Sequence, residues 1–409
     1  MFPRLTIFVF ITAVLAFFID RESARGTLDG WERGYLSWLA GNSKRLPEKT
    51  NIVHLTLEND NDDGSPGIFD QWPPGAIDYA LILENLAVYS PRSVVVEPVL
   101  HWADGSEFTA TILAEKSSEL PALTLACTLQ NDSTIPPQNS PPSVPPPIIP
   151  KTISGSVDAV PEFTATLVSP APGLLSRKNI TAGFVSIDLG AAGTVQDKVQ
   201  LIARNGQSIV PSLALSGLIA YFAADTEEIE IFIGSHIQLT GTVRIPIDRT
   251  GALTLPPRSA GEIDVVPADE LFLDADSREI AGLTKDENSL EKIRDSLVVV
   301  SFVDPGSPST LAATIATVQS AHYPTEIRRE YQQAIWAALA VFGAVVVARS
   351  RKSSFLAFVI AVAYTSTCLL VFATRMLWWP SAIPLAIIMT TVLLGQLLPR
   401  PGTPSATPS

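Results

Sequence analysis

The stretch that decides the fold is AIDYALILENLAVYSPRSVVV, which runs from Ala76 to Val96. Its apolar residues recur every three or four positions as far as Tyr89, a spacing typical of a helix with one buried face. Pro91 ends that pattern, and the strand-forming residues Ser93–Val96 follow it. Another strand pattern, Ile52–Leu57, precedes the helix. A strand, a helix and a strand within about 45 residues form a βαβ unit, so this part of the chain predicts a parallel pair of strands in an α/β domain.

Similar patterns continue through the region between residues 20 and 330. Strand-forming runs occur at Leu123–Leu129, Thr181–Ile187, Ile229–Ile233, Val243–Ile247 and Leu297–Val303, and helical patterns occur at Pro211–Phe222 and Pro308–Ser320. One segment interrupts them, because Pro136–Pro150 holds eight prolines in fifteen residues and can form neither a helix nor a central strand. We expect an extended insertion there, either an exposed linker or a site for a proline-binding partner. The region is predicted to be a mixed α/β domain with a partly parallel sheet.

Charge is distributed unevenly along the chain. All 41 acidic residues and 22 of the 28 basic ones lie between Asp20 and Glu330, so that region carries a net charge of −19. The rest of the chain has no Asp or Glu. It contains four apolar runs, at Leu5–Ile19, Gln333–Ala348, Phe355–Thr374 and Met376–Leu398. Because a membrane span needs about 20 apolar residues, the last two runs are long enough and the first two are short. The sequence predicts one N-terminal and three C-terminal transmembrane helices, with a cleaved signal peptide as the alternative for the first run.

Basic residues beside these runs predict the orientation in the membrane. They are Arg4 before the first run, Arg349, Arg351 and Lys352 between the second and third, and Arg400 after the fourth. Basic residues are retained on the cytoplasmic side of a membrane. Residues 1–19 are therefore predicted to be an anchor, 20–330 an extracytoplasmic domain, 331–398 three spans and 399–409 a short cytoplasmic tail. The negative charge of the exported domain argues against binding to nucleic acid.

Six segments of the chain follow one another in an order that is found in a known family. They are NIVHLTLEND (51–60), QWPPGAIDYALILENLAVYSPRSVVVEPVL (71–100), FVSIDLGAAGTVQDKVQLIARNGQSIVPSLAL (184–215), GTVRIPIDRTGALTLPP (241–257), DVVPADELFL (264–273) and DSLVVVSFVDPG (295–306). Together with the closing apolar runs, they resemble CHASE type 2, an exported sensor domain of bacterial adenylate cyclases, histidine kinases and serine/threonine kinases. The resemblance implies a signal-transduction protein of the bacterial inner membrane, with its sensor domain on the periplasmic side.

The chain also departs from the pattern of that family. Glu58 and Glu97 stand where the family usually has Asp, and Pro74 and Gly75 stand where it has a basic residue after the Trp-Pro pair. Family members usually continue after the last span into a catalytic signalling domain, whereas eleven residues follow Leu398 here. We therefore expect a sensor without catalytic residues or a cofactor, acting through a separate signalling or envelope membrane protein. Sensors that signal across membranes are often dimers, so a homodimer is a further expectation.

Three carboxylates follow strands that the sequence predicts to be parallel. Glu58 follows Ile52–Leu57, Glu97 follows the second strand of the βαβ unit, and Asp304 follows Leu297–Val303. In an open α/β sheet, ligands collect outside the carboxyl ends of parallel strands. A cluster of carboxylates there repels itself unless it binds a cation or a proton, so it could sense a metal, pH or a basic small ligand. The alternative is that these side chains only cap the helices that follow them.

The stretch between the first strand and the helix is rich in acidic residues. Asp60, Asp62, Asp63 and Asp70 are weak candidates for irregular binding of a divalent cation, and a solvated connection is the simpler interpretation. Trp72 is predicted to pack over the first helix as a lid, with stacking on a ligand as the alternative. No nucleophile elbow or phosphate-binding loop is present, which argues against an enzyme.

Two classes of function remain open at this point. The favoured one is extracytoplasmic sensing, with an unknown small ligand, the lipid bilayer and a membrane protein as partners. The alternative is an envelope scaffold or assembly protein with a degenerate sensor fold, which the departures from the family pattern favour. The apolar runs contain no Asp or Glu, which argues against a channel or transporter.

Overall fold

The structure is a computed structural model. It describes residues 2–24, 27–43, 48–58, 69, 71–100, 107–130, 145–163, 165–168, 170, 172–175, 177–188, 198–256, 261–272, 289–302, 309–321, 323–327, 329–349 and 353–397. The chain divides into two compact units. The helical unit comprises Met1–Leu46, Pro256–Arg258 and Pro324–Ser409, and the α/β unit comprises Pro47–Leu255 and Ser259–Tyr323. Residues 20–46, which were predicted to belong to the exported domain, are thus part of the helical unit.

The secondary structure alternates between strands and helices through most of the α/β unit. The helices are α1 (Phe2–Ala24), α2 (Asp29–Asn42), α3 (Ala76–Val88), α4 (Glu107–Lys116), α5 (Pro172–Leu175), α6 (Leu213–Phe222), α7 (Thr310–Gln319), α8 (Arg329–Arg349), α9 (Ser353–Arg375) and α10 (Ala382–Leu397). The strands are β1 (Glu48–Leu57), β2 (Ser93–Val96), β3 (Leu123–Gln130), β4 (Thr152–Ser154), β5 (Ala165–Val168), β6 (Ile180–Asp188), β7 (Lys198–Gln200), β8 (Ile202–Asn205), β9 (Ser208–Pro211), β10 (Glu230–Phe232), β11 (His236–Gln238), β12 (Arg244–Pro246), β13 (Ala252–Thr254), β14 (Gly261–Pro267), β15 (Leu297–Phe302), β16 (Thr325–Glu326) and β17 (Leu377–Trp378). Short 3-10 turns occur at Ser117–Glu119, Thr226–Glu228, Ala268–Leu271 and Ser289–Ile293.

A largely parallel sheet forms the centre of the α/β unit. Its strands run in the order β14, β1, β15, β2, β3, and β6 pairs with β3. These six strands are parallel, while β5 pairs antiparallel with the second half of β3. The two strands of the βαβ unit are parallel as predicted, but they do not pair directly, because β15 lies between them. The smaller strands pair in a four-stranded sheet of β12, β11, β10 and β4 and in the two-stranded pairs β13–β7 and β8–β9.

The two faces of the central sheet are covered by different helices. Val53, Leu55 and Leu57 of β1 point to one face, where they share a buried apolar cluster with residues of α3 and α4. Ile52 of β1 and Val95 of β2 share the other cluster with residues of α6 and α7. Because side chains alternate across a strand, His54 and Thr56 of β1 lie on the same face as Ile52.

The strands and helices predicted in the α/β region are confirmed, with ends that differ by a few residues. The proline-rich segment is described from residue 145 onward, and it is extended as expected there. Its end is not simply an exposed linker, because Ile148 is buried and its backbone N–H donates to the carbonyl of Ile209 in an isolated bridge to β9. An apolar residue in this segment therefore contributes to the core.

Close packing of α6 on β6 requires a glycine at position 183. A Cβ added there would lie 2.6 Å from backbone atoms of Ser212 and Leu213, which cannot rotate away as a side chain could. We expect Gly183→Ala to lower the free energy of unfolding by about 1–3 kcal/mol, the usual effect of overpacking. Gly241→Ala is the matched control, since nothing lies within 4 Å of its added Cβ. Thermal unfolding measures both, and equal stability of the two variants would contradict the prediction.

Of the four predicted transmembrane helices, two are supported in the described part of the chain, and the predicted lengths also change. Among the described residues, Glu330–Val347 in α8 and Phe355–Arg375 in α9 are long and apolar enough to cross a membrane. The helix that contains the second apolar run is longer than predicted, because α8 starts at Arg329, four residues before the run. The helix in the fourth apolar run is shorter than predicted, because β17 occupies the beginning of that run. This helix, α10, has 16 residues and is about 24 Å long. The first run lies within α1.

Candidate functional site

The carboxyl ends of three neighbouring strands form the candidate site. Leu57 at the end of β1 is in register with Phe302 of β15, and Val300 of β15 is in register with Val96 at the end of β2. The strands β1, β15 and β2 thus end at nearly the same level, and polar side chains near these ends can meet. This is the edge of the sheet at which ligands bind in open α/β folds.

Glu97 is the partly buried carboxylate of this edge. Its backbone N–H continues the sheet by donating to the carbonyl of Val300. Its side chain accepts a hydrogen bond from the hydroxyl of Ser309, whose Oγ lies 2.8 Å from Glu97 Oε2, and the hydroxyl of Ser301 also acts on it. Burial raises the pKa of Glu97, and the two hydroxyl donors oppose that rise in part. Binding of a proton or of a cation would relieve the unfavourable burial of the negative charge.

His54 lies next to Ser301 on the face covered by α6 and α7. Its side chain is only 4% exposed, and its Nε2 lies 2.6 Å from the Oγ of Ser301. Burial lowers the pKa of His54, which favours the neutral ring. Since the single proton of the Ser301 hydroxyl is donated to the backbone carbonyl of Phe302, at 3.4 Å, we assign the proton on His54 to Nε2, from which it is donated to Ser301.

Ser309 joins this arrangement to a helix. It is the N-cap of α7, and its Oγ accepts from the backbone N–H groups of Leu311 and Ala312 while it donates to Glu97. Two hydrogen-bonded pairs, His54 with Ser301 and Ser309 with Glu97, therefore lie at this edge, and the Ser301 hydroxyl acts on Glu97. We call these four residues the rim cluster. The N-terminal end of α7 carries partial positive charge and favours the charged form of Glu97. A change of charge at Glu97 would alter the hydrogen bond that it accepts from Ser309, the residue that caps α7.

One buried hydroxyl next to the rim cluster is without a hydrogen bond. Thr56 is in register with Ser301, and its Oγ1 has no hydrogen-bond partner in the described part of the chain. Buried polar atoms normally have a partner, so this hydroxyl marks a position where the site could accept or donate one more hydrogen bond.

The structure brings together only part of the predicted site. Glu58 is exposed at the end of β1, and within the described ranges no hydrogen bond or ion pair joins it to Glu97. Asp304 lies outside the described residues. Trp72 is half-buried and packs edge-on against Phe302, with 5.2 Å between ring centroids, as well as against the cluster beside α3. Its predicted packing role agrees with these contacts, and stacking on a ligand stays a hypothesis.

The metal hypothesis gains no support from the residues that can be described. Asp60, Asp62, Asp63 and Asp70 all lie outside them. Within the described ranges, no three His, Cys, Asp or Glu side chains are grouped so that they could hold a metal ion. Of the three carboxylates predicted at this edge of the sheet, the structure describes Glu97, which is partly buried, and Glu58, which is exposed.

Sequence reasoning missed three of the four residues of the rim cluster. It singled out none of His54, Ser301 and Ser309. A usable signal was present, because His54 and Thr56 are polar residues at alternate positions of an otherwise apolar strand, which predicts a polar group inside the covered face.

Comparison of the chain with known protein families, curated proteins and solved structures found no match. The resemblance to CHASE type 2 domains therefore stays a prediction. The functional argument rests on the geometry of the rim cluster and on the two apolar helices that could cross a membrane.

Proposed function

We propose that this chain is a membrane-anchored sensory protein of the CHASE type 2 kind, whose α/β unit detects a proton or a cationic small ligand at Glu97. The observation that carries the proposal is the rim cluster, because it joins the ends of three parallel strands to the N-cap of α7. Glu97 is the chemically responsive member, since its charge is partly buried.

The proposed signal passes through α7. When Glu97 is charged, Ser309 donates to it; when Glu97 binds a proton or a cation, that hydrogen bond weakens or reverses. Residues 320–328 then connect α7 to α8, one of the two helices that could cross a membrane. A ligand that binds one arrangement of α7 better than another shifts the population toward it, which is the requirement for signalling.

The proposed location is the bacterial inner membrane, with the α/β unit on the extracytoplasmic side. The positions of the basic residues support that orientation. Phe342 of α8 and Phe358 and Leu370 of α9 are exposed apolar side chains, which suits contact with lipid and with a separate signalling protein in the membrane. Protease treatment of intact and permeabilised cells tests the orientation: digestion of the α/β unit only after permeabilisation of the inner membrane would contradict it.

The pH dependence of stability tests the role of Glu97. A raised pKa means that the folded chain holds a proton that the unfolded chain has lost. The contribution of Glu97 is therefore fully present below its ordinary pKa of 4.5 and is lost as the pH rises through the raised value. We expect Glu97→Gln to gain stability relative to wild type as the pH rises from 4.5 to 8. Each kcal/mol of difference should shift the melting temperature by about 2–4 °C in a protein of this size.

Glu58→Gln is the control for that experiment, because Glu58 is exposed at the same edge of the sheet. The full chain in lipid nanodiscs is melted at each pH, alone and with divalent cations or cationic metabolites. A ligand at 100 times its Kd should stabilise the protein by about 2.7 kcal/mol. Stabilisation that Glu97→Gln abolishes and Glu58→Gln retains would support sensing at Glu97. Identical pH profiles for all three proteins and no stabilising ligand would favour the envelope scaffold.

A further inference from the structure

The helix α2 has three chemically different sides. Glu32, Leu36 and Leu39 follow one another at spacings of four and three residues, so they share one side. Trp31 and Trp38 are seven residues apart and share a second side. Gly30, Gly34 and Gly41 share a third side, where an added Cβ would meet nothing within 4 Å. Because the three sides differ in polarity and size of their side chains, we expect each to contact a different environment.

The first side of α2 is attached to the start of α10. Glu32 is 8% exposed, and its carboxylate accepts from the backbone N–H groups of Ser381 (2.8 Å) and Ala382 (3.0 Å) and from the Ser381 hydroxyl (3.3 Å). The first N–H groups of a helix lack partners within the helix, so Glu32 supplies the acceptors that α10 needs. Helix ends inside an apolar environment require such partners most, because no water is present to replace them.

The same side of α2 packs against α9. Leu36 and Leu39 belong to one buried apolar cluster with Tyr364, Cys368 and Phe372, which lie four residues apart along α9. These contacts place α2 along the C-terminal half of a helix that could cross a membrane. The short α10 begins beside α2, since Glu32 accepts from the backbone N–H groups at its start.

The second side of α2 is aromatic and uncovered within its unit. Trp31 is 58% exposed and Trp38 is 43% exposed. The indole N–H of Trp31 donates to the Oγ of Ser381 at 2.9 Å, so its polar atom has a partner and the exposed remainder of the ring is apolar. Leu370 of the adjoining α9 is also exposed, at 64%. Much of the apolar surface of both rings is therefore exposed in the described part of the helical unit.

We infer that α2 lies in the membrane interface, with Trp31 and Trp38 in contact with lipid at the boundary between headgroups and acyl chains. Tryptophan is enriched at that depth because its ring is apolar and its N–H is polar. A water-exposed surface would leave two large rings uncovered, while the open glycine side of the same helix suits water. The inference goes beyond the proposed sensory function, because it assigns residues 29–42 to the bilayer surface whatever the α/β unit detects.

Site-directed spin labelling of the full chain in nanodiscs tests the inference. A nitroxide is attached at Trp38→Cys and, as a matched control on the glycine side of α2, at Ser37→Cys. Leu370→Cys serves as the lipid reference and Lys151→Cys, an exposed residue of the α/β unit, as the water reference. The wild-type chain measures background labelling, since Cys127 and Cys368 are both buried. Collision rates with oxygen and with a polar nickel complex are then compared.

We expect the ratio of oxygen to nickel collisions at position 38 to exceed that at position 151 by about tenfold, since the polar complex is largely excluded from the apolar boundary. The ratio at position 37 should resemble that at position 151. A ratio at position 38 equal to the water reference would overturn the inference, as would equal ratios at positions 37 and 38. The value at position 370 separately reports whether α9 is in lipid, so failure of the inference for α2 is distinguishable from failure of the membrane assignment.

Discussion

Glu32→Ala should lower the free energy of unfolding of the helical unit by about 2–5 kcal/mol, the range expected when hydrogen bonds to a buried charged acceptor are lost together. The substitution removes the acceptor of two backbone N–H groups and one hydroxyl at the start of α10. Ser381 is fully buried and Ala382 is partly buried, so water cannot readily replace the carboxylate as their acceptor.

Titration of the full chain with sodium dodecyl sulfate in mixed micelles, followed by circular dichroism, measures this effect. Glu32→Gln keeps one carbonyl acceptor and should retain roughly half of the stability, about 1–2 kcal/mol below wild type. Glu330→Ala is the control, since Glu330 is an exposed acidic residue in the first turn of α8 and should contribute at most about 1 kcal/mol through the helix dipole. A Glu32→Ala protein as stable as Glu330→Ala would show that the hydrogen bonds contribute little.

The central sheet was predictable because its strands are buried on both faces. β15 and β2 consist almost entirely of buried apolar residues, so their pattern in the sequence is continuous. The edge strand β14 was missed for the opposite reason. Only Val266 among its described side chains is fully buried, and Asp264 and Pro267 interrupt the apolar pattern. Predictability therefore followed the degree of burial.

The helix α2 was missed because its own sequence disfavours a helix. Gly30, Gly34 and Gly41 each reduce helix propensity by about 1 kcal/mol relative to alanine. Packing of Leu36 and Leu39 on α9 and the hydrogen bonds of Glu32 compensate for that loss. These are contacts with residues more than 300 positions away in the chain, so no local pattern could predict them.

Only the residue of the candidate site that directly follows a strand could be predicted from the sequence. Glu97 follows β2 directly, and the topology rule for open sheets identifies that position. The partners of Glu97 come from β15 and from the start of α7, and their hydroxyls become relevant only when the strand register is known. Glu58 also follows a parallel strand, and yet it is exposed. The end of a strand determines at which edge of the sheet a side chain lies, but it does not determine whether that side chain is buried.

His54→Ala is expected to lower the free energy of unfolding of the α/β unit by about 2–4 kcal/mol, since it removes a buried ring and leaves the Ser301 hydroxyl without its donor. Thr56→Val, two residues along the same face of β1, is the control. It replaces a hydroxyl that has no partner among the described residues, so it should be neutral or stabilising by about 1 kcal/mol.

A double-mutant cycle with Ser301→Ala separates the hydrogen bond from the loss of volume. If His54 and Ser301 interact as their 2.6 Å separation indicates, the double variant should be less destabilised than the sum of the single variants, by about 0.5–3 kcal/mol. Additive effects would mean that His54 only fills space. The cycle also tests the link to Glu97, because the Ser301 hydroxyl lowers the pKa of that carboxylate. Ser301→Ala removes a donor that stabilises the charged form, so the pKa of Glu97 should rise further, and the loss of stability with increasing pH should extend to a higher pH than in wild type.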